Sequence, residues 1–350
     1  MNQKTVFGIV ALLTIAALAI AACGGAATAP APTESAPATG APAPTAAPTD
    51  VPTEAPTAVP EPVTIRMALL PVIDTLPVFV ADQQGYFAAN GIKIEYVPVA
   101  SAAERDQVII SGGADGMLND MISTILFNKD AVQVIAVATA RTATPDYPQY
   151  RVLASAQSGI TDVNGLKGVE IGISEGTVIA YTTDRLLQAE GFAPDEIKTV
   201  AVPKIPDRLA LLGSGEIKAA NLPDPVASLA IAGGAVVIID DTKHPEYGYS
   251  LWTFSAAFVS EHPDTVKGFL AAITQASDDI NADKTKWDTL LADNKLLPQP
   301  LQGNYTLPDY PTGAVPSEDQ FNDVAAWATE KGILSTEVQY ADSVNAGFLP

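Results

Sequence analysis

Two periods of apolar and polar residues take turns along this chain. Val63-Thr64-Ile65-Arg66-Met67-Ala68-Leu69-Leu70 reads as a strand, and residues 77–89 carry helical spacing that ends before Gly91. Ile92, Ile94 and Tyr96 then alternate with Lys93 and Glu95, the period of a half-buried strand. Helices near 102–112 and 121–129, with strands through Met117-Leu118 and Val132–Ala138, continue the series. A second series starts at Val169-Glu170-Ile171-Gly172-Ile173. It runs through helices near 177–190, 206–213 and 225–232, with strands at Ile197–Val202, Ile217–Leu222 and Val236–Ile239. Leu251–Val259 reads as a strand leading back to the first half. Pro263 opens an amphipathic helix with Val266, Phe269, Leu270 and Ile273 on one face. Strands alternating with helices predict an α/β fold of two doubly wound, mainly parallel sheets. The predicted lobes are about 61–153 with 254–350, and about 154–253.

Before residue 61 neither period is present. Lys4 precedes an uncharged apolar run from Val6 to Ile20, and small residues follow, which is the pattern of a secretory signal. The run is shorter than the ~20 apolar residues that a membrane span needs. Ile20-Ala21-Ala22-Cys23 resembles a bacterial lipobox. That resemblance implies removal of residues 1–22, lipidation of Cys23 and attachment to the outer face of the cell membrane, several acyl chains being needed for a stable anchor. Residues 24–60 hold nine prolines and twelve alanines and no Lys or Arg, so they predict an extended tether without a core.

Composition narrows the function classes. With 19 basic against 40 acidic side chains and a net charge of −21, the chain has nothing to neutralise phosphates in bulk, which argues against nucleic acid. One cysteine excludes an internal disulfide framework and a cysteine-clustered metal site. His244 and His262, the two histidines, leave little for a histidine-based metal site, and no resident cofactor is predicted.

Leu76-Pro77-Val78-Phe79-Val80-Ala81, Gly85-Tyr86-Phe87 and Gly91-Ile92-Lys93-Ile94-Glu95 resemble the opening of bacterial substrate-binding proteins for nitrate, taurine, alkanesulfonates and thiamine pyrimidine precursors. Gly113-Ala114-Asp115-Gly116, Leu166-Lys167-Gly168 and Leu222-Pro223-Asp224-Pro225 extend the resemblance over roughly 62–280. It implies a type II periplasmic-binding-protein fold, in which two α/β lobes joined by crossovers close on a small molecule. It also implies a monomer that serves an ABC permease and its ATPase.

In such sheets ligands bind beyond the carboxyl ends of strands. That rule selects Asp74, Asn119, Asp120 and Arg141 in the first lobe, and Ser174, Glu175, Thr177, Leu222 and Asp224 in the second. Asp74, Asp120 and Asp224 are equally suited to capping helices, and Ser174 to satisfying free backbone donors. One arginine among Asp74, Asp120, Glu175 and Asp224 predicts an acidic or neutral cleft that disfavours inorganic anions. Tyr150, Tyr181 and Trp252 are candidate stacking surfaces, Trp252 first. Vitamin-uptake binding proteins resemble this chain too, which ranks riboflavin first, a thiamine pyrimidine precursor second, and sulfonate, nitrate or taurine third. A different class, the pyrimidine-precursor synthases of the same fold, carries a cysteine-rich motif that this chain lacks, so no catalytic residue is predicted.

Overall fold

Two five-stranded sheets, one per lobe, carry residues 61–350, the part of the chain that the computed structural model describes. In the first lobe β1 (Val63–Leu69), α1 (Leu76–Gln83), α2 (Tyr86–Ala89) and β2 (Ile92–Pro98) come in turn. They are followed by α3 (Ala102–Ile110), β3 (Gly116–Asn119), α4 (Met121–Asn128) and β4 (Val134–Thr142). The helix expected over 77–89 divides because Gly85 adopts a left-handed φ of 77°, which starts the short α2 in a new direction.

The second lobe begins with β5 (Tyr150–Ala154), β6 (Glu170–Ile173), α5 (Val178–Ala189) and β7 (Lys198–Ala201). It continues with α6 (Ile205–Ser214), β8 (Ala219–Pro223), α7 (Val226–Ala232) and β9 (Val236–Asp240). The chain then returns through β10 (Tyr249–Ser255), α8 (Ala256–Glu261) and α9 (Pro263–Ala282). It closes with α10 (Asp288–Asp293), α11 (Glu318–Glu330) and α12 (Tyr340–Ser343).

The sheet orders are β2-β1-β3-β10-β4 and β7-β6-β8-β5-β9, so the lobes repeat one topology. In each sheet the antiparallel strand is the one supplied just after a crossover: β10 beside β3 and β4, β5 beside β8 and β9. The crossovers therefore occupy 143–149 and 241–248, earlier than the junctions expected at 153 and 253. The strand expected over Leu251–Val259 stops at Ser255, whose hydroxyl accepts from the Phe258 N–H and starts α8.

The crossovers lie side by side. Ala143 N–H donates to the Gly248 carbonyl at 2.7 Å. The buried Asp241 carboxylate accepts the N–H groups of Gln149 at 2.9 Å and Tyr150 at 3.0 Å. A Cβ at Gly248 would run into that carboxylate, so only glycine fits there.

Phe269 of α9 centres the first core, with ring centroids 5.1 Å from Phe254, 5.4 Å from Phe87 and 5.7 Å from Trp252. Burial of one such side chain stabilises by roughly 1.5–3 kcal/mol. The segment after 282, undefined by periodicity, bridges both lobes. Trp287, Leu291, Leu307 and Tyr310 join the Phe269 core, while Phe321, Val324 and Trp327 of α11 pack with residues of α4 and α5.

Candidate functional site

Between the lobes lies a cavity of about 60 Å³, on a measure by which one water needs roughly 10–15 Å³. It has room for a few waters or a compact headgroup rather than for several rings. Strand ends and helix starts of both sheets form its wall, as the strand-end rule requires. Asp74, Arg105, Asn119, Asp120 and Ser250 come from the first lobe. Tyr150, Ser174, Thr177, Arg208 and Pro223 come from the second.

The carboxylates on this wall are already engaged. Asp74 pairs with buried Arg141 at 3.3 Å and also accepts from Gln149 at 2.8 Å and Ser250 at 2.7 Å. Burial opposes the Arg141 charge most, but Asp74 together with Tyr305, Asp224 and Tyr310 holds that pKa above the ordinary arginine value. Asp120 caps α4 by accepting the Ser123 N–H at 2.8 Å, and its other oxygen faces Arg105 at 3.3 Å. Burial raises the Asp120 pKa, against the pull of Arg105.

Arg208 is different. It is fully buried, and its Nη1 donates to the Val202 carbonyl at 2.8 Å, while Nε and Nη2 have no partner among the described residues. No carboxylate of the described residues forms an ion pair with it, and burial alone pushes its pKa down to about 10. Tyr150 and Ser174, both buried, line the same cavity. Burial holds the Tyr150 phenol neutral, with a pKa well above the ordinary value. Thr177 caps α5 by accepting the Ile179 N–H at 3.2 Å. Among these lining residues Arg208 is the cation with unpartnered N–H groups.

A family model described as NMT1/THI5 like matches residues 73–285. The chain belongs to that family. It is similar to the 4-amino-5-hydroxymethyl-2-methylpyrimidine phosphate synthase THI11 of Saccharomyces cerevisiae, 27% identical over 237 residues, or 64% of this chain and 68% of the yeast protein. Among solved structures, the alkanesulfonate-binding protein SsuA from Xanthomonas axonopodis pv. citri, bound to MOPS, superposes with a TM-score of 0.68 at 17% identity. It covers 82% of this chain and 99% of SsuA. The desulfurization enzyme DSZB superposes with a TM-score of 0.62 at 16% identity, over 81% of this chain and 97% of its own. The periplasmic-binding-protein fold is thereby established for this NMT1/THI5-like chain, and that fold carries binders and enzymes alike.

The family match spans the cavity wall from Asp74 to Ser250, leaving out Leu70 and Val72, and stops before α11. Of the residues selected from sequence, Asp74, Asn119, Asp120, Tyr150, Ser174 and Thr177 meet on that wall. The others stand elsewhere. Glu175 is exposed and off the wall, because the turn before α5 points it outward between Ser174 and Gly176. Leu222 lies in the core between β8 and α6, and its neighbour Pro223 reaches the cavity. Arg141 sits behind Asp74 as its counter-ion. Asp224 is held by Arg151, by the Tyr305 hydroxyl and by Ser228 at 2.6 Å. Tyr181 donates to Asp323 at 2.6 Å, away from the cavity. Trp252 is buried against Phe269 and offers no stacking face. Cys23 and the tether lie outside the described residues.

The acidic cleft expected from sequence is therefore corrected. Asp74, Asp120 and Asp224 carry arginine partners, Glu175 is outside, and a cation without a carboxylate lines the wall. Arg105 and Arg208 escaped the sequence reading because they sit in the second turn of helices, beyond the loops that the strand-end rule selects. Helical side chains lean toward the helix amino terminus, which returns both arginines to the strand ends.

Proposed function

We propose that this chain is a solute-binding protein that closes its two lobes on one small molecule outside the cytoplasm and delivers it to an ABC permease. The observation that carries this reading is the interlobe cavity, whose polar wall is assembled from both sheets. Two adjacent crossovers support it, because chain connections lying side by side can act as a hinge. Attachment through a lipidated Cys23 fits this role, and among the described residues no helix is long and apolar enough to cross a membrane.

The ligand ranking changes with the geometry. From the sequence, riboflavin ranks first on resemblance to vitamin-uptake binding proteins, with free carboxylates as acceptors and Trp252 as the first stacking candidate. With those carboxylates paired and Trp252 in the core, a compact solute rich in acceptors moves ahead of riboflavin and the pyrimidine precursor. A second reading, a pyrimidine-forming enzyme, draws on the synthase names of the fungal relatives. A thermal-shift panel on the purified full chain, with riboflavin, a thiamine pyrimidine, taurine and nitrate, separates the two. The binding reading expects at least one solute to raise the melting temperature saturably and to be recovered unchanged. Conversion of a bound compound into a pyrimidine product would replace that reading with the enzymatic one.

A further inference from the structure

Arg105 and Arg208 occupy equivalent places in the two lobes. Arg105 is the fourth residue of α3, after β2, and Arg208 is the fourth residue of α6, after β7. Strands β2 and β7 hold the same position in sheets of identical order. The carboxylates nearest by topology are equivalent as well, Asp120 directly following β3 and Asp224 directly following β8. In the first lobe this arrangement is closed, with Arg105 against Asp120 at 3.3 Å. In the second lobe it is open. Asp224 is taken by Arg151 and Tyr305, which leaves Arg208, a residue of the cavity lining, fully buried with two unpartnered nitrogens.

A buried cation without a counter-ion destabilises the fold, and a fork of free N–H groups matches an oxyanion. Ser174, Tyr150 and the amino-terminal turn of α5 line the same wall, and each contributes donors or a favourable dipole. We propose that the diversion of Asp224 keeps Arg208 unpaired so that the solute supplies its counter-ion, and that the ligand is a small organic molecule bearing a sulfonate, phosphate or carboxylate group. This rests on the solute-binding reading and names the ligand class for the same site. The small cavity fits such a headgroup, and the neighbouring carboxylates do not oppose it because each already has a cation.

Titration calorimetry of the full chain with methanesulfonate, inorganic phosphate and acetate, each separately, tests the inference and distinguishes the three anion types. At least one probe is expected to bind one to one. Arg208→Met should lower its affinity by about 10-fold or more, Arg208→Lys by less, and Arg66→Gln, on the distant Asp115 pair, not at all. Without anion, the Met variant should melt no lower than the wild type, since it removes an unpartnered buried charge. Equal anion affinity in Arg208→Met, or a melting temperature several degrees lower without anion, would mean a structural arginine and overturn the inference. If Arg208→Met does not fold, undiminished binding by Arg208→Gln overturns it equally. Binding of riboflavin or another neutral solute, with none of the three anions bound, overturns this inference and leaves the solute-binding reading standing. Binding of no solute at all removes both.

Discussion

Trp327 donates its indole N–H to the buried carboxylate of Asp184 at 2.7 Å, tying α11 to α5 of the second lobe. Lys331 reaches the same carboxylate oxygen at 2.6 Å, and Arg185 pairs with Asp323 at 3.0 Å. Trp327→Phe keeps an aromatic ring but deletes the donor and part of the buried indole, so it should lower the unfolding free energy by at least about 1–3 kcal/mol, the cost of a broken hydrogen bond to a buried charge. Urea denaturation reads this directly. An unchanged midpoint would show that Lys331 alone satisfies Asp184.

At the hinge, Asp241 sets a pH dependence. Burial raises its pKa from 3.8 to about 7, although the Gln149 and Tyr150 N–H groups pull it down. A carboxyl raised on folding binds its proton more tightly in the folded state. Its contribution to stability is therefore fully present below about pH 4 and is lost as pH rises through about 7. Relative to Asp241→Asn, the wild type should lose stability between about pH 4 and pH 7. Parallel pH profiles for the two proteins would contradict the assignment.

Gly248 and Asp241 should behave as one unit. Gly248→Ala drives a methyl group into the Asp241 carboxylate, and overpacking of this kind costs roughly 1–3 kcal/mol. In an Asp241→Ala background the same substitution should cost much less, which a double-mutant cycle measures. Additive costs would show that the clash is relieved elsewhere.

Cys23→Ala should abolish lipid labelling and release the protein or leave an uncleaved precursor, with solute affinity unchanged. Labelling with a radioactive fatty acid decides it, and retained label in the variant would refute the lipobox reading.

How far the sequence reveals this molecule depends on the kind of position. The alternation of periods 2 and 3.6 locates both α/β lobes, because their buried faces repeat at every element. Asp74, Asn119, Asp120, Ser174 and Thr177 were legible because they occupy loops at strand ends. Tyr150–Ala154 was not, since five residues beside a crossover carry too little periodicity to announce a strand that pairs with β8 and β9. Nor was the charge of the cleft. Whether Asp224 meets Arg208 or Arg151 is decided by partners 16 and 73 residues away, and no local pattern records that choice. Residues after 282 have their meaning only in the contacts of Tyr305, Tyr310 and α11 with both lobes.

Native mass spectrometry of the full chain, purified under gentle conditions from cells that produce it, addresses solute capture most directly. The account predicts a one-to-one complex with a single small anionic compound, released intact when the protein is unfolded. A protein that carries no small molecule, and stays free when incubated with extract from its own growth medium, would contradict it.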